Sequence, residues 1–163
     1  MFCMSIGHIV EINEQTETAC IEPGDRCVRV PREIYEYYQQ LDFYNESVFC
    51  EDLKKWNELR RKGVFTFAHT MEALFEEIKN MCPTRQGVRY ISEERAFVIM
   101  GNQPNEISNL QSAIWINANG KQTIEEIYLT VCEQNIPYPS DPIRDFVECV
   151  VGLVRTGTMF LRS

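Results

Sequence analysis

Two carboxylate pairs, Glu76-Glu77 and Glu93-Glu94, and a scattered set of thiols are the side chains of this 163-residue chain with most capacity for chemistry. An acid–base dyad needs two carboxylates converging on one reacting bond. Neighbouring residues on a helix or strand point apart, so neither pair makes one. Seven cysteines (Cys3, Cys20, Cys27, Cys50, Cys82, Cys132, Cys149) are spread without a CxxC pair, and His8 and His69 are the only histidines. A zinc site requires converging ligands, usually with a short-spaced pair, and that spacing is missing. The odd cysteine count suits reduced thiols. Cys132 and Cys149 fall on apolar helix faces and read as small core residues. The sequence has no nucleophile elbow, phosphate-binding glycine loop, dinucleotide fingerprint or HExxH motif. It reads as a non-catalytic chain that uses no cofactor.

Composition narrows the partners. At 44% hydrophobic and 25% charged residues the chain is of globular type. No apolar run approaches the ~18 residues of a membrane span. The opening MFCMSIGHIVEINEQ has neither a basic n-region nor an apolar h-region, which favours a cytoplasmic location and no membrane partner. The net charge is −8, divided as −5 over residues 1–86 (15 acidic, 10 basic) and −3 over 87–163 (9 acidic, 6 basic). Nucleic-acid affinity is built by neutralising phosphates, so this balance weighs against a nucleic-acid partner. The run Lys54, Lys55, Arg60, Arg61 and Lys62 could contact phosphates or attract an acidic partner. Interleaved Glu51, Asp52 and Glu58 favour an ordinary solvated helix.

The elements are clearest in the second half. VRYIS (88–92) and RAFVIM (95–100) read as a hairpin. Gly101 to Pro104 is turn chemistry, and Glu106 to Leu110 forms a short third strand or an extended entry. A helix over about 109–118 buries Leu110, Ala113, Ile114 and Trp115 and ends at Asn119-Gly120. Thr123 and Glu126 form a capping box that opens a second helix, with Ile124, Ile127, Tyr128 and Val131 at helical spacing. Asp141-Pro142 opens a third helix, to about Arg155, and Thr156-Gly157 turns it into a closing strand, TMFLR.

That third helix is unusually apolar. Ile143, Phe146, Val147, Cys149, Val150, Val151, Leu153 and Val154 cover more than half of its circumference, whereas a surface helix needs one apolar stripe. It therefore has a second face to bury, in a ligand groove, against residues 1–86, or in a homodimer.

The first half repeats the plan. IGHIVEIN (6–13), TACIEP (18–23) and CVRV (27–30) read as strands. Pro31 at N1 opens a helix with Ile34, Tyr38 and Leu41 on one face. Glu51-Asp52 opens another with Leu53, Trp56 and Leu59 on its core face, and Gly63 turns into VFTF (64–67). Only FYNESVFC-type sequence lies between these helices, too little for a full middle helix. The segment 69–86 reads as a linker helix with a boundary at Pro83 to Gly87. The expected class is thus α+β, with strand–strand–strand–helix–(helix)–helix–strand occurring twice.

Residues 87–163 resemble the pyrroloquinoline-quinone biosynthesis protein D (PqqD-like) family, the winged-helix RiPP recognition element. The strand RAFVIM, the entry ISNLQSAIW, the corner NANGKQTIEEI and the helix DPIRDFVECVVGLVRTGTMF carry the resemblance, at Leu110, Trp115, Asn119, Gly120, Lys121 and Thr123. The sequence departs from the family around Asn102 to Glu106, in the Ile136-Pro-Tyr-Pro139 loop, and in carrying a degenerate second copy. The resemblance implies two tandem winged-helix-like units, each of three strands plus two or three helices, over 1–68 and 87–163. It also implies a peptide-binding adaptor. The leader of a ribosomally made precursor would add as a strand along Glu106, Ile107, Ser108, Asn109 and Leu110, against a groove wall of Ile143, Val147, Val150, Val151 and Val154. The adaptor would present it to a modifying enzyme, often a radical-SAM protein. A DNA-binding regulator on the same fold and a structural or assembly subunit are the competing classes.

Overall fold

Short β-branched runs punctuated by Gly, Asp and Asn favour hairpins over long strands, and the computed structural model has small sheets of two or three strands, both three-stranded ones antiparallel. The structure describes residues 2–40, 53–134, 136 and 141–163, without the side chains of 37–40, 53 and 55. These residues form an α+β protein with six helices, divided into two units: 1–77 with 161–163, and 78–160. Among them no helix is long and apolar enough to cross a membrane.

In the first unit β1 (Phe2–Ser5) pairs antiparallel with β5 (Phe65–Ala68). A separate meander joins β2 (His8–Asn13), β3 (Thr18–Glu22) and β4 (Val28–Pro31) in that order. The helices are α1 (Arg32–Gln40), α2 (Leu53–Arg61) and α3 (Met71–Ile78). Ile21, Val30, Ile34, Trp56, Leu59 and Phe65 are core residues, with the Trp56 and Phe65 rings 5.0 Å apart. Three features differ from the sequence reading. β1 is an added strand, its four residues too short to show a period. Pro31 closes β4 instead of opening α1, since a proline is tolerated at a strand end where its missing N–H is not needed. Cys20 and Cys27, with Cα atoms 5.8 Å apart, are joined as a disulfide across the β3–β4 turn, where reduced thiols were expected. The expected start at Glu51-Asp52, the FYNESVFC segment and Leu41 lie outside the described residues.

In the second unit β7 (Val88–Ser92), β8 (Arg95–Met100) and β9 (Gln103–Ile107) form a three-stranded meander. Val98, Ala96 and Ile107 share its buried face. The helices α4 (Asn109–Asn117), α5 (Ile124–Glu133) and α6 (Pro142–Arg155) follow. Where the sequence suggested a boundary, β6 (Cys82–Arg85) forms and pairs with β10 (Met159–Arg162). The linker helix accordingly shortens to α3. Leu110, Ala113, Ile114 and Trp115 are buried as expected, and the Trp115 Nε1–H donates to the Gln86 and Thr158 carbonyls at 3.2 and 3.0 Å. Those two bonds satisfy the indole's one polar group. Thr123 Oγ1 accepts from Glu126 N while Glu126 Oε2 accepts from Thr123 N, completing the capping box. The corner at Asn119-Gly120 is anchored on β6, through a bridge to Thr84 and a bond from Gly120 N to the Pro83 carbonyl.

The order β1-β2-β3-β4-α1-α2-β5 recurs as β6-β7-β8-β9-α4-α5-α6-β10. In both runs the first strand pairs with the last and the next three form a meander. Gly7 (φ 87°) and Gly87 (φ 85°) sit at the same place in each. A Cβ at either would strike a backbone carbonyl, of Glu22 or of Ile99, so glycine is required twice for one reason.

The β7–β8 turn places Glu93 and Glu94 at φ 50° and 66°, between the paired Ser92 and Arg95. A two-residue turn of this kind needs positive φ at both positions and favours Asn-Gly. Replacing the pair (Glu93→Asn with Glu94→Gly) is expected to stabilise the protein by about 1–2 kcal/mol, read as a higher urea midpoint at unchanged slope.

Candidate functional site

Ser108 ends β9 and caps α4. Its Oγ accepts from Gln111 N at 3.1 Å, and its own N–H donates to Gln111 Oε1 at 2.9 Å. This capping box was visible as Ser-x-x-Gln only once the strand end was known. It turns the chain so that the end of an edge strand and the first turn of a helix face α6.

Among the described residues β9 is the edge of its sheet, with β8 as its one partner strand. Met100 and Gln103 flank a two-residue loop, so hydrogen-bonded pairs fall at Met100–Gln103, Val98–Asn105 and Ala96–Ile107. The N–H and C=O of Glu106 and the C=O of Pro104 therefore point away from β8. Pro104 sits where its missing N–H leaves the ladder intact. The Glu106 side chain is exposed and lies 3.7 Å from Arg95.

Beside this edge lies a groove of about 470 Å³, lined by Ser108, Asn109, Leu110, Gln111, Ile136, Asp145, Glu148 and Cys149. Of the five expected strand residues, Ser108, Asn109 and Leu110 line it, although Asn109 and Leu110 belong to α4 rather than to a strand. Glu106 and Ile107 are in β9, and Ile107 is buried beneath the sheet.

The expected wall on α6 is corrected. Val147 and Val150 are completely buried and Val151 nearly so, and Ile143 and Val154 are half-buried. At 100° per residue, the buried Leu153, Phe146, Val150, Val147 and Val151 span an arc of roughly 160°, with Ile143 and Val154 inside it. Asp145, Glu148, Cys149 and Gly152 occupy the opposite side. Gly152 is close enough to α4 that a Cβ there would come within 2.8 Å of Gln111 Nε2. The groove wall is thus the less apolar side of α6, and its apolar arc is core. The sequence signal for the real wall was the spacing Asp145, Glu148, Cys149 on one helix face.

Cys149 is half-buried at the groove and not a plain core residue. Burial, opposed by a hydrogen bond with Ser108 and reinforced by the Asp145 and Glu148 carboxylates, pushes its thiol up to about 11. A thiol held neutral is a weak nucleophile.

Two other surfaces carry clustered charge. A hollow of about 680 Å³ in the first unit is lined by Glu14, Glu17, Glu36 and Arg32 among others. Its one cation, Arg32, is held by Glu36 at 2.8 Å, and this hydrogen bond and charge raise the guanidinium's pKa. On α2, Arg60 pairs with Glu77 at 3.1 Å and lies over Phe67, and just beyond its end Lys62 pairs with Glu58 at 2.7 Å. These pairs compete with any phosphate contact by the same cations. Among the described residues no cluster of three His, Cys, Asp or Glu side chains is placed to hold a metal ion.

Two outcomes follow. Val147→Asp places an unpaired charge at a fully buried position and is expected to unfold the second unit, losing near-UV dichroism instead of altering a surface alone. Cys149 should react with iodoacetamide at pH 8 about 100-fold more slowly than a free thiol, with the rate climbing only toward pH 11.

Compared with known proteins, the chain matches no family model and no curated protein.

Proposed function

We propose that the second unit captures an extended peptide as an added strand along β9, with alternate side chains directed into the groove beside α6. In this reading the chain is a non-catalytic adaptor of the PqqD-like kind, composed of two tandem winged-helix-like units. It binds the leader of a ribosomally made precursor in the cytoplasm and presents it to a modifying enzyme of radical-SAM or related type. The observation that carries the proposal is a strand edge, unpaired among the described residues, that runs through Ser108 into the lining of a groove. Backbone bonds to Glu106 and Pro104 would supply affinity, and the groove would supply selectivity. The first unit has a corresponding edge, β4. We assign binding to the second unit, where Ser108 at the end of β9 lines a groove.

Amide exchange with and without short precursor-type peptides tests the assignment. Protection should rise at Glu106 and along α6 from Asp145 to Cys149, and binding without protection at β9 would overturn it. Glu106→Pro removes the outward N–H while sparing the β8 ladder. It should weaken binding about 5- to 10-fold, the value of one backbone hydrogen bond, at unchanged thermal midpoint.

A further inference from the structure

Resting on strand addition at β9, we propose that the peptide carries a basic side chain, lysine or arginine, at the strand position that overhangs the α6 groove. Among the described residues, Asp145 and Glu148 are the charged ones lining the groove, and none of its lining residues is a cation. They stand three apart on one face of α6, so a single side chain entering from β9 can lie between them. The floor beneath is Leu110, Ile136 and Cys149, which suits the methylene stem of a long cationic side chain. Ser108 and Gln111 at the rim are already engaged with each other in the capping box.

The field of the two carboxylates reaches the floor. After burial, Asp145 and Glu148 are what raise the Cys149 thiol, against the Ser108 hydrogen bond. An acidic side chain entering here would bring a third negative charge into the same space. Arg144 holds Glu148 Oε1 at 3.1 Å, but both side chains are well exposed, so the pair is weakly held and can exchange for a ligand cation. Asp145 also accepts from Asp141 N at 3.2 Å, which orients its carboxylate on the first turn. Because alternate residues of a strand face one way, the basic residue should recur at one register position, with small or apolar residues two positions to either side.

The test is to pan a displayed library of random short peptides against the full chain, and in parallel against an Asp145→Asn/Glu148→Gln variant. Recovered peptides are then measured by fluorescence anisotropy. Enrichment of lysine or arginine at one register position is expected, with an affinity loss of about fivefold when that residue becomes glutamine, shrinking as salt rises. The preference should vanish in the double variant and turn toward acidic residues in Glu148→Lys. Peptides that protect the Glu106 amide without any basic preference would overturn the inference and leave strand addition standing. Absence of any peptide that protects β9 would overturn both.

Discussion

The reciprocal pair of bonds between Ser108 and Gln111 is the constraint on which the candidate site depends. It ends β9 at Ile107 and begins α4 two residues later, with no loop between. A strand edge is a row of unpaired donors and acceptors, and proteins normally cover or blunt it. Here the edge is left beside a helix that the capping box has turned against α6, and Gly152 removes the side chain that would crowd Gln111. Edge and groove meet through one change of direction in the chain.

Much of the scaffold could be read from sequence because its signals are local. Pro142 at N1, Thr123 with Glu126, and the apolar spacing of Ile124, Ile127 and Val131 each act within a few residues, and each holds in the structure. The hairpin of β7 and β8 was legible from its β-branched and aromatic content. What was not legible is non-local or too short. β1 and β6 are four residues each and exist through their pairing with β5 and β10, far along the chain. The period of a four-residue segment cannot distinguish a strand from a linker, and Pro83 made 82–85 look like a break.

The misread face of α6 has a specific physical origin. A groove was expected to be apolar, so the most apolar arc was assigned to it. Yet the most apolar arc of a helix is the one the chain itself most needs to bury, and Val147 and Val150 go to the core with Phe146 and Leu153. The side left over carries Asp145, whose carboxylate accepts from Asp141 N, and Glu148, which Arg144 pairs only weakly. Function on a two-sided helix is better sought on the side of intermediate polarity, where enough apolar surface remains to bind and enough charge remains to select.

The recurrence of the element order bears on where the candidate site lies. Gly7 and Gly87 show the same backbone crossing in both units, so the frame is shared down to a carbonyl contact. The surfaces built on that frame are not shared. In the second unit β9 runs into a capped helix, whereas in the first β4 ends at Pro31 and Arg32 is occupied with Glu36. A shared frame conserves the hydrogen-bonded meander, which needs only backbone geometry. A groove needs particular side chains at particular helical angles, and here those are found at Leu110, Asp145, Glu148 and Cys149. The acidic balance of the chain extends into the groove, where Asp145 and Glu148 stand three apart on one helix face beside the apolar Leu110 and Ile136.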